Sequence, residues 1–122
     1  MRRCATSSGR AFGATTPYAI EAPFAVLVNG RLLRGRIDAI YALTDPETDG
    51  TFRFRVVDWK TSRTESADPL QLAIYRLAWA EANQIPLESV DAGFYYVRTD
   101  RLIRPAGLAT RPEIERLLSD PA

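Results

Sequence analysis

The sequence predicts one α/β domain built on a mixed β-sheet flanked by helices, and three observations predict it. Three β-rich segments follow one another between residues 19 and 59, separated only by short turns. One strong amphipathic helix then spans Pro69 to about Asn83. An aromatic strand, Val90 to Val97, returns after that helix in the manner of a β-α-β crossover. With 122 residues and 46% hydrophobic content, the chain can bury a single modest core.

Residues 1–16 are small and polar without periodicity and read as a poorly ordered lead-in, leaving 17–122 as the domain. Ala19–Val28 reads as the first strand. Asn29-Gly30 then supplies the two positive-φ positions of a type I′ hairpin turn. Arg31–Leu43 is the second strand, and its interior Gly35 marks a bulge or a close approach. Thr44–Gly50 is a turn cluster of Asp, Pro and Gly. The third strand, Phe52–Trp59, completes an antiparallel meander.

Asp68 and Pro69 suit the N-cap and first position of the helix, whose stripe is Leu70, Ala73, Ile74, Leu77 and Ala78. Pro86 blocks its continuation. Leu102-Ile103 forms a short strand after the turn at Thr99-Asp100, and Pro112–Leu118 a brief closing helix.

Composition excludes several chemistries. There is no histidine, so a Ser-His-Asp triad and histidine metal ligands are absent. The single cysteine, Cys4, excludes an internal disulfide and a four-cysteine iron–sulfur cluster. A net charge of +1 gives no general attraction to polyanions. No apolar run approaches the ~20 residues of a membrane span. Met1-Arg2-Arg3 lacks the apolar stretch of a secretory signal, so the chain reads as soluble and cytoplasmic, with no membrane partner.

The third strand carries the chemistry. Phe52, Phe54, Val56, Asp58 and Lys60 share one face, which begins apolar and ends in a carboxylate and an ammonium. Burying such charges requires a partner, and a metal ion with an anionic substrate would serve. Fifteen of the 16 cationic residues are arginine; Lys60 is the only lysine, consistent with a need for a compact point charge there. If the second and third strands pair, Asp38 converges on Asp58, and two carboxylates with a main-chain carbonyl suit Mg²⁺ or Mn²⁺. Lys60 could then orient a water or stabilise charge on a phosphoryl group. An Asp-x-Lys tripeptide is common by itself, and an exposed salt bridge is its ordinary explanation.

The ordered set Gly35-x-x-Asp38, Val57-Asp58-Trp59-Lys60-Thr61 and Gln71-x-x-x-Tyr75 resembles the RecB-type nucleases of the PD-(D/E)XK superfamily, over about residues 18–104. The resemblance implies a restriction-endonuclease-like fold and a metal-dependent deoxyribonuclease. It assigns metal binding to Asp38, Asp58 and the Trp59 main-chain carbonyl, and action on the attacking water to Lys60. Gln71 and Tyr75 would lie near the active site and the DNA. The aromatic stretch Ala92–Arg98 is similar to the C-terminal end of UvrD-like, AdnAB-type helicase–nuclease subunits. That similarity implies double-strand break repair beside a helicase motor, in cis or in a partner subunit.

The chain departs from the family in lacking a leading helix with its histidine, which suggests a C-terminal fragment of a longer protein. The iron–sulfur cysteines of some relatives are absent too. A catalytically silent DNA-binding or scaffolding module is the alternative. Gln71 also stands three residues after Asp68, the spacing of a capping box, and both roles are open to it. Tyr75 shares its helical face and could be a core residue. Glu21 reads as a solvated strand charge that could assist the metal. Arg31, Arg34, Arg36, Arg53, Arg55 and Arg63 form either a phosphate track, with Arg36 and Arg63 as candidate contacts, or scattered surface charge.

Overall fold

The computed structural model describes residues 16–62 and 67–119, apart from the Thr48 side chain. The lead-in, the question of a leading helix before Pro17, and Arg63 therefore concern residues outside the described ones. The chain forms a five-stranded sheet in the order β1-β2-β3-β4-β5. The strands are β1 (Ala19–Val28), β2 (Arg31–Ala42), β3 (Phe54–Lys60), β4 (Val90–Tyr96) and β5 (Arg101–Ile103). The pairs β1–β2, β2–β3 and β4–β5 are antiparallel, while β3–β4 is parallel. The mixed sheet and its crossover are thus as expected. No helix among the described residues is long and apolar enough to cross a membrane.

Local chemistry explains each element. Asn29 and Gly30 sit at φ 54° and 75°, giving the hairpin turn its left-handed pair. The Asp-Pro-rich cluster before β3 holds a one-turn helix, α1 (Pro46–Asp49), which the sequence reading treated as a turn. Asp45 caps it, accepting from the Glu47 N–H at 3.0 Å. The crossover helix is α2 (Pro69–Ala82), with Pro69 at its start and Asp68 accepting from the Leu70 N–H at 3.0 Å. Asn83 closes it, its Nδ2 donating to the Trp79 carbonyl at 2.9 Å, before Pro86.

The buried arc of α2 is wider than the expected stripe. Leu72, Ala73, Tyr75, Leu77, Ala78 and Ala80 are buried, whereas Leu70 and Ile74 are only half-buried. Two layers enclose the helix. Leu72, Tyr75 and Ala80 pack on the sheet with Ile37, Ile40, Val56, Val90, Ala92, Phe94 and Tyr96. On the other side, Ala73, Leu77 and Ala78 meet Val26 and Val28 of the β1–β2 hairpin and Ile114 of α3 (Arg111–Leu117). Each large aliphatic side chain buried this way contributes about 1.5–3 kcal/mol. The hairpin tip is tied down by Asn29 Nδ2, which donates to the Glu115 carbonyl at 2.7 Å, and by Arg111, whose Nη2 donates to the Leu27 carbonyl at 3.3 Å.

The hairpin reaches over α2 because β1 bends. Its pairs with β2 share one register, but Glu21 and Asp38 are not paired between Ile20–Ala39 and Ala22–Ile37. Glu21 stands at φ 47°, a left-handed conformation that a β-carbon disfavours. The opposite sheet face carries a smaller cluster of Ala39, Tyr41, Val57 and Leu102, and no helix among the described residues belongs to it.

Candidate active site

A fork in the sheet creates the site. The β2–β3 ladder ends at Ala39–Val57, one step short of Asp38 and Asp58. From there β3 continues through Lys60 paired only with β4, and β2 continues paired only with β1. Asp38 therefore sits where the ladders on both its flanks are interrupted. Its Oδ2 fills one vacated place by accepting from the Trp59 N–H at 2.8 Å. Trp59 thus enters the site through its main chain, while its indole lies exposed on the opposite face.

Asp58 is 6% exposed, where the expected β3 face turns from apolar to charged. Lys60 Nζ lies 2.9 Å from its Oδ2 and 5.8 Å from the centre of the Phe94 ring. That carboxylate oxygen is buried, and the Lys60 ammonium is its close charged partner. Burial pushes the Asp58 pKa up, contact with Asp38 adds to the rise, and Lys60 opposes it. A carboxylate short of positive charge beside a second carboxylate fits a hard divalent cation. No group of three or more acidic or cysteine side chains placed to hold a metal ion occurs among the described residues. Two carboxylates remain sufficient for Mg²⁺, which ordinarily keeps several waters and takes further oxygens from substrate phosphate.

The helix brings Gln71 and Tyr75 to the same place. Gln71 Nε2 donates to the Tyr75 hydroxyl at 2.9 Å. Asp68 caps the helix through the Leu70 N–H, while the Gln71 amide nitrogen is turned along the helix to Tyr75. Tyr75 is both core and site. Its ring is buried, and its pKa is raised by burial first and then by the charges of Asp58 and Asp38. Gly35 explains how the ring is held. A β-carbon there would stand 2.9 Å from the Phe24 ring, which meets the Tyr75 ring edge-on at 5.3 Å. The close approach read from Gly35 is therefore to an aromatic buttress. A groove of about 510 Å³ adjoins these residues, lined by Phe24, Arg34, Gly35, Asp68, Gln71 and Tyr75 among others.

The arginine track does not form as a whole. Arg55 turns inward to Asp91, 2.7 Å away, with its side chain only 13% exposed. Arg36 stays outside, 3.6 Å from Glu21 across a fully solvated ion pair that holds neither side chain firmly. Glu21 is thus the surface charge expected, and its bent backbone is what helps isolate Asp38. Sequence reading missed that bend and missed Asp91. The signal for Asp91 was present: a lone carboxylate within the apolar run Val90–Val97, as Asp58 stands within its own.

Comparison with known proteins agrees with this geometry. The family model of the PD-(D/E)XK nuclease superfamily matches residues 2–120. No curated protein and no solved structure gives a significant match. With a mixed sheet flanked by helices, and with a family match over nearly its whole length, this chain belongs to the PD-(D/E)XK nuclease superfamily.

Proposed function

We propose that the protein is a divalent-metal-dependent DNA nuclease of RecB type that hydrolyses phosphodiester bonds. The observation that carries this reading is the meeting of Asp38, Asp58 and Lys60 at the fork, with Asp58 buried beside a second carboxylate and a single ammonium. Asp38 and Asp58, with the Trp59 carbonyl, would hold Mg²⁺ or Mn²⁺. When bound, such an ion lowers the pKa of a water and offsets charge developing on the phosphoryl oxygens. Lys60 acts as a point donor that orients the attacking water. The water oxygen bonds to phosphorus as the opposite P–O ester bond breaks. Tyr75 accepts from Gln71 and so keeps its own O–H to donate, with burial and the two carboxylates favouring the protonated phenol. The groove beside Gln71 and Tyr75, with Arg34 on its wall, would seat a nucleic-acid strand next to the site. Arg36 and Arg63 remain candidate phosphate contacts.

The motif order and the aromatic stretch Ala92–Arg98 support a place in a cytoplasmic, ATP-dependent helicase–nuclease that processes double-strand breaks. The helicase motor would then be attached in cis or supplied by a partner subunit. The decisive experiment compares Mg²⁺-dependent DNA degradation by the wild type, Asp58→Asn and Lys60→Ala, with folding checked by circular dichroism. Each variant should lose about 10³-fold in rate, the scale of removing a group that acts on the transition state. Undiminished cleavage by Lys60→Ala sinks the assignment. DNA binding without cleavage by the wild type assigns the chain to the catalytically silent class.

A further inference from the structure

A second charged cluster lies at the other end of the β3–β4 ladder. Arg55 and Arg104 each place Nε 2.7 Å from the same oxygen, Asp91 Oδ2. Arg76 of α2 donates from Nε to the Val90 carbonyl at 2.6 Å and feels the charges of Asp91 and Glu88. Three guanidinium groups thus gather around one buried carboxylate, with the exposed Glu88 as a more distant counter-charge. The positive charge is under-compensated. Burial lowers the Arg76 pKa, and Arg55 and Arg104 must share the single Asp91 oxygen.

The sheet leaves room beside them. β5 pairs with β4 only from Phe94 to Tyr96, so the β4 edge at Val90–Ala92 is not covered by a strand. A pocket of about 330 Å³ opens there, lined by Phe52, Arg76, Asp91, Ala92, Arg104 and Gly107 among others. The Phe52 ring lies 5.8 Å from the Arg104 guanidinium carbon and limits where that group can swing. Arg55 and Asp91 stand three residues before Asp58 and Phe94 on the parallel ladder, about 10 Å away at ~3.3 Å per residue. The pocket is thus separate from the fork, and nothing in the proposed cleavage reaction uses it.

We propose that this pocket binds a phosphate oxyanion, held by the outer nitrogens of Arg76 and Arg104. Planar guanidinium groups suit the bidentate geometry of phosphate, and an anion would balance the surplus charge that Asp91 leaves. The phosphate could belong to a free nucleotide or to the backbone of a nucleic-acid strand, since both present the same oxygens. The inference stands independently of the nuclease reading.

The test titrates inorganic phosphate into metal-free protein at constant ionic strength, with EDTA present and chloride as the compensating anion. Two-dimensional NMR should show saturable shifts at the Ala92 and Gly107 amides and the Arg104 side chain. Arg76→Lys and Arg104→Gln should each weaken binding at least tenfold, and either variant that folds is a sufficient test. Repeating the titration with a nucleoside 5′-monophosphate and with a short single-stranded DNA names the source by which binds more tightly through the same resonances. Absence of saturable shifts, shifts confined to Asp38, Asp58 and Lys60, or wild-type affinity in a folded variant would each overturn the proposal.

Discussion

Asp58 and Asp91 are both buried, at 6% and 8% exposure, and lie on adjacent strands of one sheet, yet they are held in opposite ways. Asp91 receives two guanidinium groups on one oxygen, with a third nearby. Asp58 receives one ammonium and a second carboxylate. The first is a carboxylate surrounded by excess positive charge; the second is short of it. Burial makes either imbalance costly, so an Asp58-type site stands ready for a cation and an Asp91-type site holds arginines in place. The same side chain on the same sheet therefore meets an excess of positive charge in one place and a shortage in the other.

The sharpest way to break this contrast is to remove each carboxylate and follow stability. Asp91→Ala leaves partly buried guanidinium groups without their counter-ion and should cost about 3–5 kcal/mol, the scale of breaking a buried pair from one side. Urea denaturation measures it. A loss below about 1 kcal/mol would make the Asp91 cluster no more structural than the fork.

Metal should separate the two sites next. Mg²⁺ or Mn²⁺ offsets repulsion between Asp38 and Asp58 and should raise the melting temperature. At ~100 times the dissociation constant, linkage gives about 2.7 kcal/mol. Asp38→Asn should blunt that response, whereas Arg104→Gln should leave it intact. Calorimetry showing no metal binding would remove the basis for the cation-deficient reading of Asp58.

The smallest effect concerns pH. The Asp58 pKa is raised in the folded state, so its contribution to stability is greatest below the unfolded value of 3.8 and is lost as pH rises through the folded value. Metal-free protein should therefore lose stability over that acid-side window. Asp58→Asn should remove this loss and stabilise the metal-free protein at neutral pH by about 1–2 kcal/mol, as replacing a strained functional residue often does. Matched denaturation curves between pH 4 and 7 check both statements. An Asn variant less stable than the wild type at pH 7 would mean that Lys60 fully offsets the burial of Asp58.

Periodicity and turn chemistry by themselves determined the strand order along the chain, the Asn29-Gly30 turn, the Asp68-Pro69 helix start and the face shared by Val56, Asp58 and Lys60. These are local properties: a two-residue repeat sets a strand face, and a cap acts within one helical turn. The convergence of Asp38 on Asp58 was legible too, because a meander leaves adjacent strands few registers. Tertiary structure alone decided the rest. The positive φ of Glu21 depends on the hairpin having to curl over α2. The choice of Gln71 between cap and site depends on where the Tyr75 hydroxyl lies, and the ring that holds Tyr75 reaches it only because Gly35 has no β-carbon. Arg55 left the surface for Asp91 across 36 residues of chain, and Arg104 met the same oxygen from beyond β5. Long-range electrostatic partners have no sequence period; the packing of the strands chooses them.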